Sequence, residues 1–185
     1  KALDHADYVT ADGWPLVKAA QQTGFSSCQR VTGKTLCQSI SNGAISTSYA
    51  LLGSESLPCQ IFAAMAESHG SKMVMCIHGR SEGWELSRLI NELNESSPRL
   101  ILVALGAPKG EILAAKLRQG VPNSTIIGVG GGLEMAAGMM PSAPKIYERY
   151  NIEWMFRLAG QPRRMGRRYL LESPPVAWDL LSTTK

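Results

Sequence analysis

The sequence predicts an α/β fold built on a mostly parallel sheet, and three observations support this prediction. Strand-like and helix-like segments alternate along most of the chain. Residues 100–105 are apolar at every position, as expected for a strand that is covered on both faces. With 185 residues, of which 44% are hydrophobic and 18% charged, the chain can bury a substantial core. Repeated β-α-β alternation of this kind is typical of a parallel sheet.

The individual elements are predicted from local patterns. Strands are predicted at residues 6–10, 49–52, 72–77, 99–105 and 124–129. Helices are predicted at residues 14–22, 57–69 and 82–97, and from Pro108 to about Gln119. Pro15 suits a first helical turn because its missing N–H costs nothing there. Leu86, Leu89, Ile90 and Leu93 lie at helical spacing. Residues 26–48 are rich in Ser, Thr and Gly and stay unassigned.

The chain changes character after Pro144, where it becomes aromatic, basic and punctuated by proline. We therefore predict an α/β core over residues 1–144 and a basic, helical C-terminal appendage over residues 145–185. The core holds 11 Lys/Arg and 11 Asp/Glu, whereas the appendage holds 8 and 4, so the whole net charge of +4 lies in the appendage. This asymmetry indicates an anionic partner such as phosphate, membrane or nucleic acid.

Arginines in the appendage favour a membrane surface among these partners. If the segment after Pro162 is helical, Arg164, Arg167 and Arg168 share one face, with apolar and aromatic residues interleaved. Such a mixture suits anionic lipid headgroups and would also fit nucleic acid, and the simpler alternative is a basic helix that is only solvated. No recognised nucleic-acid module is visible, so we expect no nucleic-acid partner.

Composition and spacing argue against several other classes of protein. The longest charge-free stretch, Thr35–Ser54, is too polar for a membrane span, and no secretory leader opens the chain. The first residue is Lys, so we expect a processed, trimmed or fragmentary start. The cysteines (Cys28, Cys37, Cys59, Cys76) contain no CxxC and favour free thiols, and the histidines (His5, His69, His78) show no metal-ligand spacing. We therefore predict no metal site.

Three polar or glycine-rich turns follow predicted strands, and ligands of open α/β sheets bind at the carboxyl ends of strands. Asp12 is either a capping or turn aspartate or a general base. Gly106–Glu111 either only starts a helix or binds an anion through helix N–H groups, without Walker spacing. Gly128–Glu134 lacks the full dinucleotide fingerprint, although its glycines let a ligand approach the backbone. Glu134 either accepts hydrogen bonds from sugar hydroxyls or faces solvent.

The aspartates offer no Asp-x-Asp pair, since they are only Asp4, Asp7, Asp12 and Asp179. Many nucleotide-sugar transferases use such a pair to hold a divalent metal on the diphosphate. If this chain is a transferase, we expect arginines and helix dipoles to stabilise its leaving group instead.

Taken in order, the motifs resemble those of the WecG/TagA/CpsF glycosyltransferase family over nearly the whole chain. They are Ala11-Asp-Gly-Trp-Pro-Leu-Val17, Arg30-Val-Thr-Gly33, Leu102–Glu111, Gly128-Val-Gly-Gly131, Ala137-Gly138, Ala143-Pro144, Glu153-Trp-Met-Phe-Arg-Leu158, Gln161-Pro-Arg163 and Arg168-Tyr169. Each motif is weak alone, but the ordered set is specific.

The resemblance implies an inverting, metal-independent enzyme that needs no cofactor. Such enzymes move N-acetylmannosamine or its uronic acid from a UDP donor to a polyprenyl-diphosphate-linked sugar, in the synthesis of cell-surface polysaccharides such as teichoic acid or exopolysaccharide. It also implies a peripheral location on the inner face of the cytoplasmic membrane, docked through the C-terminus, and leaves a homo-oligomer open.

The resemblance also assigns roles to individual residues. Asp12 matches the family's proposed catalytic base. The expected donor-binding residues are Gly106, Pro108, Lys109, Glu111, Gly130, Gly131 and Glu134. The arginines expected at the acceptor diphosphate are Arg157, Arg164 and Arg167.

Several positions depart from the family pattern. Gly110, Glu134, Ser142 and Thr35 stand where Gln, Asp, Arg and Asp are usual, and roughly 50–60 family residues before the Asp-Gly motif have no counterpart here, so we expect an N-terminally truncated member. Two alternatives remain open. One is a nucleotide-binding oxidoreductase that uses NAD(P). The other is a catalytically degenerate relative that binds nucleotide or membrane.

Overall fold

A computed structural model gives the fold, and it describes residues 3–140, 143–144, 146–147, 152–160, 162, 166 and 175. The chain divides into two compact units. Unit 1 comprises Lys1–Val9 and Thr32–Met140, and unit 2 comprises Thr10–Val31 and Pro141–Lys185. The domain boundary at residue 144 stays a prediction.

Unit 1 is built on a parallel sheet. Its described strands are β1 (Ser48–Ser54), β2 (Lys72–His78), β3 (Leu100–Val103) and β4 (Thr125–Gly128). They lie in the order β2-β1-β3-β4, and every pair of neighbours is parallel. The predicted α/β fold with a mostly parallel sheet is therefore confirmed, and the sheet is Rossmann-like and wholly parallel in the described part of the chain.

Helices cover both faces of this sheet. The helices of unit 1 are α2 (Gly33–Ser41), α3 (Ser56–Glu67), α4 (Leu86–Ser96), α5 (Lys109–Leu117) and α6 (Gly132–Ala136). Side chains of β1 alternate between two cores: Tyr49 and Leu51 pack with α2, α3 and α6, whereas Ala50 and Leu52 pack with α4 and α5. All four are fully buried, which explains why the strand sequence is continuously apolar.

A register shift in the edge strand β2 changes which of its residues face each core. Tyr49 pairs with Met73 but Ala50 pairs with Met75, so Val74 is an extra residue in β2. Met73 and Cys76 consequently pack against the same core although they are three positions apart. Met75 packs against the opposite core.

The predicted strand at residues 6–10 is wrong. A 3-10 turn at Leu3–His5 leads into irregular backbone, in which Tyr8 and Val9 are 92% and 66% exposed. Asp7 instead accepts two hydrogen bonds from Arg118, at 2.6 and 3.3 Å, which tie this segment to the end of α5. Two adjacent apolar residues do not supply the alternation that a half-buried strand needs.

Helix α2 lies within the stretch that sequence analysis left unassigned. Thr32 caps it, since its Oγ1 accepts a hydrogen bond from the Thr35 amide at 3.1 Å. A Cβ on Gly132 would lie 2.5 Å from the Lys34 backbone nitrogen, and a Cβ on Gly33 would meet the Val129 backbone. The start of α2 thus packs backbone to backbone against the loop after β4.

The remaining predicted elements of unit 1 are confirmed within a few residues at their ends. The largest difference concerns α4, which begins at Leu86 rather than Glu82 because a turn precedes it.

Unit 2 contains α1 (Trp14–Gln22) and α7 (Glu153–Gly160). Pro15 lies in the first turn of α1, as predicted. Before α7, Tyr147 packs against Phe156 with ring centroids 5.7 Å apart. In the part of the chain that the structure describes, no helix is long and apolar enough to cross a membrane.

Candidate functional site

The carboxyl ends of the parallel strands share one edge of unit 1. The chain leaves β1 into α3 on one face and leaves the neighbouring β3 into α5 on the other face. This divergence is the topological switch point where open α/β sheets bind ligands. The loop from β3 to α5 and the loop from β4 to α6 both lie at this edge, and they carry the predicted donor-binding residues.

The loop from β3 to α5 is held by its own backbone. The Gly106 carbonyl accepts hydrogen bonds from the amides of Lys109, at 2.9 Å, and Gly110, at 3.2 Å. Pro108, which follows a cis peptide bond, occupies the N-cap position of α5 without a side-chain hydrogen bond. The start of α5 is therefore preorganised, and two of its amides are already bonded.

Gly110 stands where the family resemblance leads us to expect a glutamine. A Cβ at this position would lie 2.8 Å from the Leu105 carbonyl oxygen. Real Cβ atoms are essentially never this close to a backbone atom. This loop conformation therefore excludes a side chain at residue 110, which gives the departure a physical reason.

Lys109 forms an ion pair with Glu82, which lies in the loop after β2. Both side chains are about half exposed. The hydrogen bond from Lys109 lowers the pKa of Glu82, and the charge of Arg80 acts in the same direction. Glu82 could not be predicted from the sequence, because it is 27 positions from Lys109 and no motif contains it.

Glu111 lies in the first turn of α5 with a buried carboxylate oxygen. Its Oε2 atom has no hydrogen-bond partner among the residues that the structure describes. A buried acceptor without a partner costs on the order of 1–3 kcal/mol.

The loop from β4 to α6 is rich in glycine. Gly130 has a φ of +49°, a left-handed conformation that favours glycine, and its amide donates to the Val103 carbonyl at 3.2 Å. A Cβ on Gly131 would lie 3.8 Å from Oε2 of Glu134, so the Glu134 carboxylate lies beside its own loop.

One oxygen of the Glu134 carboxylate is turned away from solvent. This atom, Oε2, is buried, although the residue as a whole is only half-buried. Burial, and after it the negative charge of Glu134, raises the pKa of the Cys37 thiol to about 12. Cys37 is a core residue of α2, so the Glu134 carboxylate lies close to the core.

Asp12 lies in unit 2, just before α1. The N-cap of α1 is Gly13, with no side-chain hydrogen bond, so Asp12 is not the capping aspartate that the sequence allowed. Nor does it follow a strand. Its side chain is 65% exposed, with Oδ1 at 3.7 Å from a terminal nitrogen of Arg30.

Arg30 connects Asp12 to the end of the segment that follows α1. Its Nε donates to the Asp12 carbonyl at 2.5 Å, and the Val31 amide donates to the Ala11 carbonyl at 3.1 Å. In the sequence, Arg30 belongs to a motif 18 positions from Asp12, and no spacing pattern predicts that the two side chains meet. The Asp12 carboxylate is accessible beside this guanidinium, and a base that takes a proton from a hydroxyl group must be accessible.

The arginines predicted at the acceptor diphosphate stay a prediction. Arg157 lies on α7, whereas Arg164 and Arg167 lie outside the described residues.

A comparison with protein families identifies relatives of the whole chain. The family model described as "Glycosyl transferase WecG/TagA/CpsF family" matches residues 1–185. The match therefore includes both units and every residue discussed above.

Proposed function

The chain belongs to the WecG/TagA/CpsF family of glycosyltransferases, and from this premise we propose that it moves a sugar from a UDP donor to a polyprenyl-diphosphate-linked acceptor. Membership supports a transferase with a sugar donor and an acceptor in the synthesis of cell-surface polysaccharide. The proposal adds the nucleotide, an N-acetylmannosamine-like sugar or its uronic acid, and the lipid acceptor.

One structural observation carries the donor half of this proposal. The predicted donor residues occupy two loops that follow adjacent parallel strands, β3 and β4. The two loops are about 20 positions apart in sequence but lie at the same carboxyl edge of the sheet, and the loop after β3 is at its switch point. This is where a nucleotide is expected in a fold of this class.

Each loop offers different chemistry to the donor. We assign Lys109 to the diphosphate: its ion pair with Glu82 is exposed, and exposed pairs contribute little to stability, so a phosphate can replace the carboxylate. The buried oxygen of Glu111 accepts from a ribose or sugar hydroxyl. The glycines at 130 and 131 allow the donor to approach the backbone closely.

The proposed reaction is a single displacement. The acceptor hydroxyl oxygen attacks the anomeric carbon on the face opposite to UDP, and the bond from that carbon to the UDP oxygen breaks with its electron pair leaving on UDP. The hydroxyl proton goes to the Asp12 carboxylate. Attack from the opposite face inverts the anomeric centre.

Cationic groups stabilise the charges of the two substrates in this proposal. Arg157, Arg164 and Arg167 hold the acceptor diphosphate through charge-assisted, bidentate hydrogen bonds. Lys109 and the helix dipole of α5 take the leaving-group charge, a role that a metal held by Asp-x-Asp fills in other transferases.

The test is the substitution Asp12→Asn in the full chain. Thermal unfolding with UDP, in the presence of a chelator, should show the same stabilisation in wild type and variant, with NAD giving none. Turnover should fall about 10²–10⁴-fold, the usual contribution of a general base. Asp7→Asn is the matched control, because Asp7 is an exposed aspartate paired with an arginine, and it should keep its turnover.

Three outcomes contradict the proposal. Unchanged turnover in Asp12→Asn would show that Asp12 is not the general base. Stabilisation by NAD but not UDP favours an oxidoreductase. Stabilisation by neither nucleotide favours a catalytically degenerate relative.

A further inference from the structure

A second group of reactive side chains lies in unit 1, outside the proposed donor loops. The Sγ atoms of Cys59 and Cys76 and a ring nitrogen of His78 all lie within 4.8 Å of one another. Cys59 comes from α3, and the other two residues come from β2. The solvent exposure of the three side chains increases in order: Cys59 is 1% exposed, Cys76 is half-buried and His78 is exposed.

Two of these three donors lie on one face of the edge strand β2, and the third faces them from α3. Cys76 and His78 are two positions apart in β2, and such residues point to the same side of a sheet. The extra residue Val74 brings Met73 to that side as well. Cys59 faces them from α3, and its thiol donates to the Met73 sulfur at 3.6 Å.

We propose that Cys59, Cys76 and His78 bind one Zn²⁺ ion. Two thiolates and an imidazole, with a fourth position left to water, form a recognised donor set for zinc in proteins. The exposure of His78 leaves that fourth position open to solvent. The Met73 sulfur is not among the donors that zinc usually takes.

The distances fit a tetrahedral ion. With Zn–S of about 2.3 Å and Zn–N of about 2.1 Å, neighbouring ligand atoms of a tetrahedron lie about 3.6 Å apart for S and N, and about 3.8 Å apart for two S atoms. Sγ of Cys76 lies 3.7 Å from Nδ1 and 3.9 Å from Nε2 of His78. The third donor, Sγ of Cys59, is within 4.8 Å of both, so all three donors can reach one ion once the imidazole turns one nitrogen toward it.

Binding is a proton exchange without redox chemistry. The two thiols each lose a proton as the two Zn–S bonds form, and neutral His78 donates a nitrogen lone pair. The ion links α3 to the end of β2, so the folded state gains stability by mass action. This inference is independent of the proposed sugar transfer, because its donors are sulfur and nitrogen rather than the oxygens that hold a metal on a diphosphate.

The test is a Zn²⁺ titration of the full chain, reduced with a phosphine and freed of metal beforehand. We expect one equivalent to bind, two of the four thiols to become protected from a thiol-modifying reagent, and the melting temperature to rise. Cys76→Ala and His78→Ala should each weaken binding by at least about 10–100-fold, the loss known for groups that merely support a metal ligand.

Matched controls separate the site from general thiol chemistry. Cys28→Ala and His69→Ala remove a cysteine and a histidine outside the group, and both should keep the affinity of the wild type. Neither tested ligand is fully buried, and circular dichroism checks that the variants fold. The absence of stoichiometric binding, or equal binding by Cys76→Ala and wild type, overturns the proposal.

Discussion

At the scale of single residues, Glu111 combines two properties that rarely occur together. Its position in the first turn of α5 is favourable for a carboxylate, because the helix dipole stabilises negative charge there. Its buried Oε2 nevertheless has no partner in the described part of the chain. A charge in this setting gains most from a ligand that brings a hydrogen-bond donor.

This setting predicts opposite effects of Glu111→Gln on the free and the bound protein. Without ligand, the variant should unfold at the same temperature or higher, since it removes a buried charge. UDP-sugar should bind about 10–100-fold more weakly, because a hydrogen bond to a charged group contributes roughly 1.5–3 kcal/mol. Isothermal titration and thermal unfolding measure the two effects.

Glu95→Gln is the control for this substitution. Glu95 is an exposed residue of α4, so it should change neither quantity. If Glu111→Gln binds UDP-sugar as wild type does, Glu111 has no contact with the donor.

At the scale of elements, the contact between the start of α2 and the loop after β4 requires glycine on both sides. Gly132 opens α6, where alanine would ordinarily raise helix stability by about 0.5–1 kcal/mol. Here its Cβ would meet the Gly33 and Lys34 backbones, which are not free ends that can move aside. The close approach therefore outweighs the helix propensity.

We expect Gly132→Ala to destabilise the fold by about 1–3 kcal/mol, the usual cost of overpacking. The neighbouring Gly131→Ala is the matched control. Gly131 has a φ of −73°, and its Cβ would meet only Glu134 at an ordinary 3.8 Å, so its free energy of unfolding should stay within about 0.5 kcal/mol. Urea unfolding measures both. Equal stability of the two variants would show that α2 and the loop can separate without cost.

The elements that sequence analysis predicted are those whose signals are local. The strand at 100–103 is apolar throughout because both of its faces are buried. Helix α2 was missed because its capping residue lies in a run of Ser, Thr and Gly, where turns are equally expected. The strand at 6–10 was wrong because Tyr8 and Val9, its main apolar residues, remain exposed.

The candidate site shows the same division. The glycine-rich loops after β3 and β4 could be predicted, since the backbone conformation of such a loop depends on the few residues within it. Their partners could not: Glu82 lies 27 positions from Lys109, and Arg30 lies 18 positions from Asp12. The group of Cys59, Cys76 and His78 has no spacing motif, because a helix and a bulged strand supply it separately.

At the scale of the whole molecule, charge is distributed unevenly. Residues 1–144 are neutral overall, and the net charge of +4 belongs to residues 145–185. We therefore propose that residues 145–185 hold the protein on an anionic membrane surface, where each Lys or Arg contributes about 1 kcal/mol.

Two variants of equal charge test this proposal. Replacing Arg163, Arg164, Arg167 and Arg168 by Gln lowers the net charge from +4 to 0, and so does replacing Lys72, Arg80, Arg99 and Lys116, which are exposed residues of unit 1, by Gln. In sedimentation with anionic vesicles, the first variant should bind on the order of 10²–10³-fold more weakly than wild type. The second should bind almost as wild type, because only charges close to the surface interact strongly at physiological salt. Raising the salt concentration should weaken wild-type binding. Equal losses in the two variants would mean that net charge alone drives binding. If the wild type bound neutral vesicles as well as anionic ones, the charges of the arginines would not drive binding.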